Sequence, residues 1–217
     1  MDSEAANKRR RLKPKPHPAS LDFISSLPDD MLLVIIGLLP TKSAVRTALL
    51  SRRWRPLWHR VPLNLIVDSC LCDGDCKCMV AVSKILSSHP GPARRLDIRM
   101  FSTNCKVQPK FDEWFLSPAL DQLEELSFEA GRCCSLPPSA LRLTPTLRRA
   151  SFSSCYLPQI NDAPAILLPQ LKQLDLFDVV ISKKAMEHLL HSSTALEYVH
   201  LEQFHGFISL HIASTNL

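Results

Sequence analysis

The chain has 217 residues, 46% hydrophobic and 22% charged, which is enough for one ordinary domain or a small module joined to a second. Its net charge of +5 is unevenly held: residues 1–20 carry Lys8, Arg9, Arg10, Arg11, Lys13 and Lys15 against Asp2 and Glu4. That leaves +1 for residues 21–217, too little for a body that binds nucleic acid through its phosphates.

Residues 1–20 read as a disordered basic arm, with Pro14, Pro16 and Pro18 and no apolar periodicity. The run Lys8, Arg9, Arg10, Arg11 and Lys13 has the density of a nuclear-import signal, and equally suits a solvated tail. No signal-peptide core opens the chain, and the most apolar run, Met31 to Leu39, is stopped by Pro40 short of a membrane span. The eight cysteines then fit reduced thiols in the nucleus, the cytoplasm or both. Five scattered glycines permit neither a phosphate-cradling loop nor a dinucleotide fingerprint, so no cofactor is expected.

Three short helices are expected over 22–62. Ser26 is placed to cap the first, Pro28 suits its first position, and Asp29 and Asp30 favour its positive end. Met31 to Leu39 is apolar nearly all round, and a module this short cannot cover both sides, so one face needs a partner. Thr41 is placed to cap the second helix, whose Ala44, Val45, Ala48 and Leu49 share a stripe. Ser51 is placed to cap a third, with Trp54, Leu57 and Trp58 three and four apart and Pro56 expected to kink or shorten it.

The run Ile24-Ser25-Ser26-Leu27-Pro28-Asp29-Asp30-Met31-Leu32, the Leu38-Leu39-Pro40 stop, Val45-Arg46, and Leu50-Ser51-Arg52-Arg53-Trp54 with Trp58 together resemble the F-box. Thr41 to Thr47 and Arg53 to Trp58 look most like the plant F-box/leucine-rich-repeat family. The resemblance implies a module that docks on the Skp-type adaptor of a cullin-RING ubiquitin ligase. It places the docking face at Leu27, Pro28, Leu32, Ile36, Leu39, Pro40, Val45, Leu49, Ser51 and Trp54, with Trp54 as anchor. Leu33, Ile35 and Trp58 are expected in the module's own core.

Residues 63–92 read as a linker containing a helix, with Met79, Val82, Ile85, Leu86 and His89 at helical spacing. Ahead of it, Cys70, Cys72, Cys76 and Cys78 invite a zinc reading, but no partner cluster follows at a longer spacing. A thiol-rich surface loop is preferred. A further short helix is expected at Phe111, Trp114 and Phe115.

Over 93–217 one pattern recurs: Leu123-x-x-Leu126-x-Phe128, Leu147-x-x-Ala150-x-Phe152, Leu171-x-x-Leu174-x-Leu176 and Leu196-x-x-Val199-x-Leu201, with first positions 24, 24 and 25 apart. Such a period reads as leucine-rich repeats, each with a strand and a looser or helical return. A weaker copy falls at Arg94 to Ile98, and Ser182 to His191 reads as an outer helix. The fold class expected is therefore α plus an α/β solenoid: a three-helix F-box, then about five irregular repeats.

Alternation along each strand puts the residues between the leucines on the concave side. Among them Gln173, Asp175, Phe177, Tyr198, His200 and Glu202 are the candidate substrate contacts, with Phe177 and Tyr198 as an aromatic pair on adjacent strands. The same residues also suit a solvated polar face with two chance aromatics. An enzyme would need a hidden site such as Cys155 with His188 or His191, and nothing in the sequence fixes that geometry.

The function expected is a non-catalytic substrate-recognition subunit: the F-box on a Skp-type adaptor, cullin and RING subunits beyond it, and an unknown protein target on the repeats, with neither nucleic acid nor membrane as partner. Phe207, Ile208, Leu210 and Ile212 look like the opening of another strand with no cap after it. That motivates the alternative of a truncated chain that competes for the adaptor without delivering a substrate.

Overall fold

The structure is a computed structural model that describes residues 23–24, 26–68, 71, 75–89, 91–99, 108–131, 134–158, 167–203 and 205–206. The basic arm, Cys70, Cys72 and the segment after Gly206 lie outside the described residues. So does the import reading on Lys8, Arg9, Arg10, Arg11 and Lys13.

Three helices open the chain: α1 (Asp29–Leu38), α2 (Thr41–Thr47) and α3 (Trp54–Arg60). Their starts differ from the expected caps. Pro28 occupies the N-cap of α1 without a side-chain bond, while the Ser26 hydroxyl turns back to donate to the Phe23 carbonyl at 2.7 Å. The helix start is held from outside instead. Arg53 donates to Asp29 Oδ1 at 2.9 and 2.7 Å and to the Leu27 carbonyl, tying the entry of α1 to the entry of α3.

Ser51 accepts from the Arg53 amide at 3.3 Å, and the helix proper begins only at Trp54. Pro56 therefore sits in the first turn, where its missing N–H would have had no partner anyway.

Beyond α3 the chain forms a six-stranded, all-parallel sheet in chain order. The strands are β1 (Leu63–Val67), β2 (Ala93–Arg99), β3 (Glu125–Glu129), β4 (Arg149–Ser153), β5 (Gln173–Phe177) and β6 (Tyr198–Glu202). Between them run α4 (Asp75–Ser88), α5 (Gln108–Phe115), 3-10 turns at Pro118–Leu120 and Pro138–Leu143, and α6 (Lys183–Ser192).

The sequence period sets the register. Leu96, Leu126, Ala150, Leu174 and Val199 lie abreast, and so do Ile98, Phe128, Phe152, Leu176 and Leu201. The leucines that start each repeat, Leu123, Leu147, Leu171 and Leu196, are buried ahead of the strands. The predicted helix around Phe111, Trp114 and Phe115 forms as α5, and Phe111 packs edge-on against both Trp114 and Phe128. Ser182 caps α6, accepting from the Ala185 amide at 3.2 Å.

The segment 63–92 is more than a linker with a helix. Leu63, Leu65 and Val67 are buried, and β1 pairs in parallel with β2, so the sheet starts one strand earlier than the leucine pattern indicates. A five-residue alternation without the Leu-x-x-Leu lead reads as ordinary connecting chain; only the partner strand identifies it.

After each of the last three strands the chain turns at one residue of positive φ: Ser154 (48°), Asp178 (51°) and Gln203 (51°). Two residues further on, Tyr156, Val180 and His205 pair in parallel as a second, narrow ladder. This corner aims the return segments away from the open face of the sheet.

Candidate functional site

Two surfaces carry chemistry that the core does not use. The first is the three-helix module. α1 presents two apolar stripes: Leu32 and Ile36, four apart, are 0% and 1% exposed, whereas Met31, Val34, Ile35 and Leu38 lie on the side that faces solvent. Phe23 and Ile24 before α1, and Leu49 and Leu50 after α2, are also exposed. Leu38 and Leu49 are the extremes, at 81% and 84%.

The ten residues expected on the docking face divide accordingly. Pro28, Pro40, Leu49 and Ser51 are exposed, and Leu27, Leu39 and Val45 are half-buried. Leu32, Ile36 and Trp54, also expected on the docking face, are buried in the chain's own core. Trp54, the first residue of α3, is 6% exposed. Conversely Ile35, expected inside, is 36% exposed, while Trp58 is buried as expected and Leu33 is partly buried against the core.

Helical periodicity could not separate these cases. In a helix apolar on every side, both stripes satisfy the same spacing, and only the neighbours decide which one is covered.

The second surface is the open face of the sheet. Register sets its side chains in rows: Arg95, Glu125, Arg149, Gln173 and Tyr198; then Asp97, Ser127, Ser151, Asp175 and His200; then Arg99, Glu129, Ser153, Phe177 and Glu202. The β2–β4 half is largely paired within itself. Asp97, fully buried, accepts from Arg95 at 3.0 Å and from both Nε and Nη2 of Arg99 at 3.0 and 2.8 Å. The hydrogen bonds to Asp97 and its charge push the Arg99 guanidinium further above its already high range. Glu125 lies 3.9 Å from Arg95 and 3.6 Å from Arg149.

The β5–β6 half holds the six candidate substrate contacts. Gln173 donates to Asp175 at 2.9 Å, and His200 lies between Asp175 at 3.9 Å and Glu202 at 3.8 Å. Phe177 and Tyr198 are exposed but form no pair: Phe177 is opposite Glu202 and Tyr198 opposite Gln173. Four residues of strand separate their levels, about 13 Å. Alternation showed the face correctly; register, which depends on where each strand begins, put the aromatics at opposite ends.

Cys155 is 1% exposed beside Cys134, Asp178 and His205. Burial, reinforced by Cys134 and Asp178, pushes its thiol up to about 12. A thiol held neutral is a poor nucleophile. Cys78 is buried on α4. Among the described residues no group of three or more His, Cys, Asp or Glu is placed to hold a metal ion.

Comparison with known proteins places two stretches of the chain. Residues 24–66 match the F-box domain family, and residues 111–217 match the family described as FBD-associated F-box protein At5g56370, LRR repeats. The chain belongs to the F-box/leucine-rich-repeat proteins.

Among its relatives in Arabidopsis thaliana, the F-box/FBD/LRR-repeat protein At1g13570 is 25% identical over 206 residues, covering 91% of this chain and 48% of the relative. The F-box/FBD/LRR-repeat protein At5g18770 is 31% identical over 185 residues, covering 81% and 38%. The F-box/LRR-repeat protein At5g02910 is 44% identical over 72 residues, 33% of this chain and 14% of the relative. The chain thus spans less than half the length of each of these relatives.

Proposed function

We propose that the chain is the target-recognition subunit of an SCF-type cullin-RING ubiquitin ligase, without catalysis of its own. The three-helix module docks on a Skp-type adaptor, and the open sheet face, as part of a leucine-rich-repeat solenoid, holds a protein target.

One observation carries the reading. A module of three short helices leaves Met31, Val34, Leu38, Leu49 and Leu50 in water, and soluble surfaces concentrate large apolar side chains in this way where a partner covers them. The F-box match supports a Skp-type adaptor as that partner.

The revised docking face is Leu27, Pro28, Leu39, Pro40, Val45, Leu49 and Ser51 together with Met31, Val34, Ile35 and Leu38. Gln173, Asp175, Phe177, Tyr198, His200 and Glu202 are the target contacts. The test is capture of partners with a proteasome inhibitor present, using wild type and Leu38→Asp. Ubiquitinated proteins that depend on Leu38 support the assignment; adaptor recovered in full with no such proteins favours the competitor reading.

A further inference from the structure

We propose that Thr41 is a positioning residue whose hydroxyl clamps the three-helix module onto the edge of the sheet and so fixes the angle between the adaptor face and the target face. The use made of that angle rests on the function proposed above; the clamp itself does not.

β1 is the first strand of the sheet, so its outer edge carries backbone groups that no strand among the described residues pairs. Thr41, 3% exposed at the start of α2, satisfies two of them. Its Oγ1 donates to the Asn64 carbonyl at 2.9 Å and accepts from the Ile66 amide at 3.0 Å. These are the carbonyl of one residue and the N–H two further on, the pair that a single residue of a neighbouring parallel strand would engage. One side-chain hydroxyl therefore stands in for a strand. The sequence assigns that hydroxyl to capping α2; in the structure Pro40 holds the N-cap position, Thr41 is the first helical residue, and its hydroxyl is committed to the sheet.

Only a hydroxyl has the donor and the acceptor this needs in so small a volume. A second tie lies on the other side of the module, where His89, buried between α4 and β2, has Nε2 3.2 Å from the Trp58 carbonyl of α3 and its ring edge-on to the Trp58 indole. Thr41 holds α2 to the sheet edge and His89 holds α3 to the first return segment. Rotation of the module over the sheet must break one of them.

The experiment compares the full chain as wild type, Thr41→Ser, Thr41→Val and Thr41→Ala. Amide exchange at Ile66 is followed, together with the distance distribution between spin labels carried by unnatural amino acids at Arg46 and Glu202. Thr41→Ser keeps wild-type exchange and a narrow distribution. Thr41→Val and Thr41→Ala exchange Ile66 about tenfold faster or more and broaden the distribution. Adaptor affinity stays within about twofold in all four, since Thr41 is buried and is not itself a docking-face residue. If Thr41→Val does not fold, Thr41→Ala decides.

Exchange and distances in both hydroxyl-free variants equal to wild type would overturn the clamp. Clamped chains that fail to bind any Skp-type adaptor would instead overturn the proposed function and leave the clamp standing.

Discussion

Single residues decide the corners of the sheet. Ser154, Asp178 and Gln203 each take a left-handed backbone that costs an ordinary L-residue about 1 kcal/mol. Asp178 is compensated: it accepts from Ser154 at 3.0 Å and lies 3.6 Å from His205. Gln203 is exposed, so Gln203→Gly is expected to raise stability by about 1 kcal/mol in urea unfolding, whereas Asp178→Gly lowers it. Gly206, at φ 125°, has the opposite constraint: a Cβ there would overlap the Ile181 carbonyl oxygen, so Gly206→Ala should loosen this corner.

Cys155 gives a pH dependence with a defined sign. Its proton is held more tightly in the folded chain than in the unfolded one, where the thiol titrates near 9.0. The stability this contributes is complete below that value and is lost as pH rises toward about 12. Unfolding midpoints measured from pH 8 to 11 should fall in wild type more steeply than in Cys155→Ala.

At the level of elements, α1 and α3 separate folding from docking. Trp54→Ala empties a core site and should cost about 3–5 kcal/mol, visible as a lowered melting temperature before any partner is added. Phe177 and Tyr198 mark the opposite ends of the β5–β6 pair, so their alanine variants should weaken a target additively or singly, without coupling, in a double-mutant cycle.

The same elements show what was legible beforehand. Strands β3 to β6 announce themselves because each repeat places a leucine, a gap and two inward residues at one period, β2 is a weaker copy led by Ala93, and the open face follows from alternation. β1 lacks that lead and needs its partner to be recognised. The solvent-facing stripe of α1 was hidden for a different reason: with apolar residues on every side, sequence alone cannot tell Leu32 from Leu38. Thr41 and Ser26 look like caps by every local rule, but Thr41 bonds to the distant sheet edge and Ser26 turns back to the Phe23 carbonyl.

Over the whole molecule, the nearly neutral body has an uneven distribution of function. The β2–β4 half of the open face is closed on itself by ion pairs, with Asp97 buried beneath two arginines. The β5–β6 half offers aromatic, acidic and imidazole groups to solvent. The module at the other end offers apolar surface, and Thr41 and His89 join the two.

On the proposed function, the exposed stripe and not the buried one is the adaptor face. The measurement is titration of a purified Skp-type adaptor into wild type, Leu38→Asp and Leu49→Asp, each checked by thermal melting. The expected result is an affinity loss of about tenfold or more in both variants at unchanged melting temperature. Wild-type affinity in both variants would contradict the assignment of this face.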